Sequence, residues 1–314
     1  MFDAELRELE RRFEGSSAAD DGERYLRALE RAGAEWPEVA RVRHALGRTH
    51  HERALALLGE RPAFSPAAAA ALQTRELALD LELPDSVREW FSLSGGAECL
   101  QRHSAACNVI AAERLGEVLP DVEDAAALRV ESLLVFMVMD QGALRWAARL
   151  GPGADPEVWI QTRDLSPMAP EPGWEAFARS FSEFVAAQLF DQRPRRLGVA
   201  FEGPALPAGA LSGLARTLEP WPSTEVGAGE HQYRFGSRSE RVAVRCAANR
   251  SWWQLSASSE TVLGEAWRLL RDACGSGYEP TAAQPWDPRS EAAWSRILAR
   301  GDEPAPGVVA EGPA

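Results

Sequence analysis

Apolar positions recur every three or four residues through the first eighty positions, and the period then shortens to two. Leu6, Leu9 and Phe13 form one stripe over residues 3–14, and Gly15 closes that helix. Tyr25, Leu26 and Leu29 mark a second helix over Asp21–Arg31. A third starts near Pro37 with Val39, Val42 and Leu46 inward, and a fourth covers Glu52–Leu58. Pro66 opens an alanine-rich helix running to about Leu79. The stretch Leu81–Gly96, LELPDSVREWFSLSGG, follows. Pro84 costs nothing in a first helical turn, and Asp85 complements the helix's positive end. Val87, Trp90 and Phe91 make one apolar stripe, and Gly95 and Gly96 are expected to stop the helix.

Beyond a loop over Ala97–Asn108, the pattern predicts strands. Val109–Leu115 reads as an edge strand. Leu133–Met139 is an unbroken apolar run, as in a strand buried on both faces. A tight turn at Gln141–Gly142 leads into Leu144–Leu150, where Leu144, Trp146, Ala148 and Leu150 alternate with Arg145, Ala147 and Arg149. After a turn over Gly151–Pro156, Val158 and Ile160 face one side of a further strand, and Trp159 and Gln161 the other. Trp174, Phe177, Phe181, Phe184 and Val185 predict one long helix on this sheet. The segment DQRPRR at 191–196 reads as a linker. Past it come a strand at Leu197–Phe201, a helix at Leu206–Leu218, and a hairpin of Val242–Ala248 with Trp252–Ser258. An amphipathic helix through Val262, Trp267 and Leu270 and a last helix at Ser290–Arg300 complete the pattern. The tail GDEPAPGVVAEGPA has the composition of a disordered segment.

Several of these residues carry a resemblance. The string "LP, a short aromatic helix, then GG" at Leu83–Gly96 resembles the SUKH superfamily, which includes Smi/Knr-type cell-wall regulators and bacterial immunity proteins. Glu76 stands where the superfamily has its upstream glutamate. Asp140 and Gly142 resemble its D-x-G hairpin, Asp155, Pro156 and Val158 its DP-x-V strand, and Phe181 and Phe184 its closing SF-x-x-F helix. Ser94 stands where many members have Asn. The resemblance spans about residues 60–192 and implies an α+β fold, a mixed or antiparallel sheet carrying helices. The expected domains are a helical lead-in (1–60), the SUKH-like domain (61–192), a small α+β companion (193–280), and a C-terminal helix with its tail (281–314).

Charge adds a direction. The chain's net charge is −13, and residues 61–192 hold most of it, with 10 arginines against 20 carboxylates. Residues 193–314 balance at 14 against 14. Such a field repels phosphate backbones and attracts basic partners, so no nucleic-acid partner is expected. No run of 18 apolar residues occurs, and the charged start MFDAELRELERRF has no signal-peptide pattern, so a cytoplasmic protein without a membrane partner is expected. Cys99, Cys107, Cys246 and Cys274 form no metal-type pair and read as buried hydrophobes in a reducing compartment.

Candidate chemistry is sparse. SLSGG has Ser92 where a nucleophile elbow needs its first glycine. His50 and His51 are adjacent, so on a helix they point about 100° apart and chelate one ion poorly; they read as exposed helix-end residues. No Walker or G-x-G-x-x-G string exists, and no cofactor or metal is expected. Acidic clusters remain: Asp121, Glu123 and Asp124 in one loop, and Asp155 and Glu157 before a strand. With the outward Arg145 and Trp159 as anchors, they define a candidate partner-binding face, since Trp and Arg are frequent hot spots. Asp155 has a competing role, because a DP turn can use that side chain as a cap. The resemblance implies a non-enzymatic immunity protein that neutralises a cognate toxin, such as a nuclease with a basic site. A scaffold or regulator of the Smi/Knr type is the alternative reading, and a hydrolase a third. The paired tryptophans Trp252 and Trp253, in a charge-balanced segment, read as cross-strand packing.

Limited proteolysis should cut within Asp191–Arg196 and leave two stable fragments, the helical lead-in staying with the first. Resistance there, with cleavage elsewhere, would place the boundary wrongly.

Overall fold

A computed structural model describes residues 2–15, 19–101, 107–116, 132–139, 144–162, 173–191, 197–207, 209–225, 230–237, 239–247, 250–275 and 281–300. The chain is α+β. It divides into two compact units, Met1–Gln192 with Pro222–Gly229, and Arg193–Trp221 with Glu230–Ala314.

The first unit begins with α1 (Phe2–Gly15), α2 (Ala19–Ala32), α3 (Trp36–Ala45) and the single turn α4 (Glu52–Leu55). Tyr25, Leu26, Leu29 and Val42 bury together, with Leu6, Leu9 and Phe13 packed against them. The lead-in is not a separate domain. The His44 ring lies 2.9 Å from the Pro62 carbonyl, and His50 reaches a residue of the LPDS helix. α5 (Pro66–Leu79) starts at Ser65, whose hydroxyl accepts the Ala68 N–H. It ends at Asp80, which takes the left-handed conformation at φ 51°.

α6 (Asp85–Phe91) is the predicted short helix, and every residue from Ser86 to Phe91 is buried. It stops at Phe91, four residues before the glycine pair. Leu93 then bridges Phe64, and α7 (Gly96–Gln101) starts where a loop was expected. The glycines make the turn between two helices. Gly95 has φ +74°, and a Cβ on Gly96 would strike the Trp90 carbonyl oxygen.

Five strands form an antiparallel meander: β1 (Cys107–Val109), β2 (Leu133–Met139), β3 (Leu144–Arg149), β4 (Val158–Thr162) and β5 (Trp174–Ala178), paired in that order. The predicted edge strand is displaced: β1 ends at Val109, and Ala112–Arg114 is a 3₁₀ turn. The expected helix from Trp174 is corrected too. Trp174–Ala178 is the edge strand, and only α8 (Phe181–Phe190) is helical. Ser180 divides them, its hydroxyl accepting the Glu183 N–H as a cap. A bulge at Val158/Trp159 lets Phe177 pack against Trp146 and Phe184 at 6.1 and 5.9 Å. Phe136, Phe181 and Phe184 meet edge to face or stacked beneath α8. The D-x-G turn at Asp140–Gly142, the linker over 192–196 and the tail lie outside the described residues.

The second sheet has six strands and carries helices. Its strands are β6 (Leu197–Pro204), β7 (Pro220–Glu225), β8 (His231–Gly236), β9 (Glu240–Cys246), β10 (Arg250–Ala257) and β11 (Thr281–Pro285), in the order β11-β6-β10-β9-β8-β7. The expected hairpin is β9–β10. The helices are α9 (Ala210–Thr217), α10 (Glu260–Cys274) and α11 (Pro288–Ala299). Across position 280, β11 pairs with β6, and Trp294 and Ile297 of α11 lie in the same core as Phe201 and Trp253. Burial raises the Cys246 and Cys274 thiols to about 11.

Trp90, next to last in α6, is 0% exposed. Trp90→Ala should cost about 3–5 kcal/mol in a denaturant melt, because the site cannot collapse around so large a loss. A change below about 1 kcal/mol would contradict its burial.

Candidate functional site

A groove of about 880 Å³ opens on the first unit, lined by Leu133, Arg149, Asp155, Glu157, Trp159 and Trp174 among others. Three of the sequence-predicted face residues meet there. Register places Trp159 opposite Ala176, and Gln161 opposite Trp174, so Trp159 and Trp174 stand on one face of neighbouring strands. The turn before β4 brings Glu157 beside them, with the Arg149 N–H donating to the Glu157 carbonyl at 2.9 Å.

The three polar partners form one small assembly. The Arg149 guanidinium lies 5.2 Å over the Trp159 ring. Its Nη1 stands 3.6 Å from Glu157 Oε2, and the Trp159 indole N–H donates to that oxygen at 3.4 Å. Both ionic side chains are more than half exposed, 56% for Arg149 and 54% for Glu157, so water screens the pair.

Asp155 lines the same groove but is already engaged. Its Oδ1 accepts the Ser182 N–H at 2.9 Å, and its Oδ2 the Ser182 hydroxyl at 2.5 Å. Burial opposes its ionisation, but the Ser182 bonds, with Ser86 and Ser180 adding to them, together hold the carboxyl below its ordinary range. It caps the start of α8 from the DP turn. Arg145, the second residue of β3, stands opposite Gln161 on the same sheet face as Trp159, as expected, but it is 5% exposed and so too deeply covered to anchor a partner at the surface. Asp121, Glu123 and Asp124 lie outside the described residues.

In a second polar cluster the sequence reading fails for one of two histidines. His51 is not an exposed helix-end residue; it is 1% exposed, with its Nε2 2.7 Å from the Ser86 carbonyl and its ring edge-on to Trp90 and Phe181. His50 is exposed, as expected, but tied down: its Nδ1 lies 2.9 Å from Glu89 Oε2, and its own N–H donates to that oxygen at 2.8 Å. Glu89 is itself buried. Adjacent histidines at a helix start point about 100° apart, and only the tertiary partners tell which is buried. The pattern also concealed Arg149, read as one polar position in an alternating strand, and Trp174, assigned to a helix.

On the second unit Trp253 is buried, stacked 6.2 Å from Phe201, while Trp252 faces outward with the Arg245 and Arg250 guanidinium groups 4.7 and 4.2 Å from its ring. Among the described residues, no group of three or more His, Cys, Asp or Glu side chains is placed to hold a metal ion, and no helix is long and apolar enough to cross a membrane. Comparison of the chain with family models, with curated proteins and with solved structures gave no match.

The two histidines titrate in opposite senses. The Glu89 hydrogen bond raises the His50 pKa against its partial burial, with Asp155 and Asp85 adding to the effect. Its stabilisation is complete below the ordinary imidazole value of about 6.5 and is lost as pH rises through the raised value. Burial lowers the pKa of His51, so folding is penalised as pH falls below the ordinary value. His50→Gln should therefore leave a protein whose denaturation midpoint falls more steeply than wild type from pH 8 to pH 6. A wild-type-minus-variant difference independent of pH would contradict an ionic His50–Glu89 pair.

Proposed function

We propose that this chain is a non-enzymatic protein-binding module that holds a basic partner at the groove around Trp159. The observation that carries the reading is Trp159 itself. It is a half-buried tryptophan beside an exposed carboxylate, on the rim of the groove, in the segment that holds most of the net negative charge. A rigid aromatic with a polar handle is the usual anchor of an interface, and a surplus of acid speeds encounter with a basic surface. The histidine cluster supports the same reading, because His51 is sealed in the core and His50 is tied to Glu89.

The resemblance to the SUKH superfamily narrows the partner. On this reading the chain is a cytoplasmic immunity protein, the partner is a cognate toxin with a basic active site, and Glu157 and the 121–124 acids steer it. Asp155 leaves the binding set, since its carboxylate serves α8.

The test is titration calorimetry with the product of the neighbouring gene at low and high salt. Binding should weaken with salt, mostly in the association rate. Trp159→Ala should weaken it by about thirtyfold, the loss of about 2 kcal/mol expected of a hot spot. Unchanged affinity of that variant removes the groove as the interface, and failure of the product to bind removes the toxin reading.

A further inference from the structure

We infer that the Trp159–Glu157 corner is a receptor for a guanidinium group, and that Arg149 occupies it in the free protein as a stand-in for an arginine of the partner. The inference rests on the protein-binding reading above and names the chemistry that the groove selects. Arg149 displays that chemistry within the chain: its guanidinium lies over the indole at 5.2 Å and faces the carboxylate at 3.6 Å. Guanidinium is the cation best suited to such a corner, because it is planar, weakly hydrated and always charged. The internal occupant is held loosely. Arg149 and Glu157 sit in water for more than half of their side-chain surface, where ion pairs contribute little.

The groove leaves room for a second arginine to take this place. It runs past the corner to Trp174 and Leu133, with a volume of about 880 Å³. A partner arginine would enter along it, lay its stem on Trp174 and displace Arg149 to solvent. Charge favours the exchange, since residues 61–192 carry 20 carboxylates against 10 arginines. The corner thus selects for a basic protein segment and excludes a small neutral ligand, which gains nothing from the carboxylate.

The experiment measures binding of a hexa-arginine peptide to the full chain by calorimetry, with hexalysine as comparison. Arg149→Gln empties the corner and should tighten hexa-arginine binding by about three- to tenfold. Arg179→Gln is the control. It removes the same charge from a more exposed arginine, 79% against 56%, where Arg179 pairs with Glu183, and should change affinity by less than about twofold. Glu157→Gln and Trp159→Phe should each weaken hexa-arginine binding by about three- to tenfold. Hexalysine should bind more weakly and respond less to Trp159→Phe.

Unchanged or weaker binding by Arg149→Gln overturns the inference, as does an equal gain from Arg179→Gln. Hexalysine binding as tight, with the same response to the variants, overturns the assignment to guanidinium. The two readings fail separately. If the neighbouring gene's product binds and depends on Trp159 but is indifferent to Arg149 and Glu157, the interface stands and the guanidinium receptor falls. If the peptide results hold and that product does not bind, the receptor stands and the toxin pairing falls.

Discussion

The first unit depends on one constraint: α6 is seven residues long and almost entirely buried. A helix that short is not stable alone, and burial strips its polar groups of water. Other elements meet several of them. Glu76 of α5 accepts the Leu83 N–H and the Arg88 Nε–H on one oxygen, each at 2.6 Å. The Arg88 guanidinium also lies 5.4 Å over Trp36 of α3. The Ser86 N–H donates to the Ala154 carbonyl, in the turn before β4, and the Ser86 carbonyl meets His51. Glu89 takes His50. Lead-in, helix pair and sheet are fastened to the same two turns of chain, and this is why residues 1–60 do not form a domain of their own.

Much of the scaffold was legible in the sequence because local chemistry and periodicity agreed. Pro66 after Ser65, the alternation of Leu144–Leu150 and the apolar run Leu133–Met139 each specify one element without help from the rest of the chain. Failures fell where tertiary contacts decide. Trp174 and Phe177 stand three apart, as on a helix, yet β4 pairs with that segment and the Ser180 cap delays the helix. Three strands of the second sheet were missed: β7 carries two prolines, β11 a bulge, and β8 polar residues on its outer side. The site was half legible. Glu157 and Trp159 were found from exposure and charge. Arg149 was missed because its place comes from a cross-strand neighbour, and Arg145 was taken as exposed because periodicity gives a side but not what covers it.

The motifs that carry the family resemblance join in pairs in space. Glu76 closes on Leu83 and Arg88 of the LP helix, and Asp155 of the DP turn closes on Ser182 of the final helix. Each pair uses a carboxylate to satisfy backbone N–H groups at the start of a helix, where such charge is most favourable. These residues are accounted for by folding alone. The proposed recognition residues Arg149, Glu157 and Trp159 lie apart from these two pairs.

The strand order of the second sheet bears on how the protein emerges from the ribosome. In the first sheet every strand pairs with its neighbour in sequence, so the meander closes as it is made. In the second, β6 is the first strand synthesised but lies between β10 and β11. Both of its edges stay unpaired until chain out to residue 257, and then 285, has been delivered. During translation this strand, with Val199 and Phe201 on its buried face, waits as an open template for some other edge. The nascent second unit is therefore the part of the chain with most need of a chaperone, although it carries none of the proposed recognition chemistry.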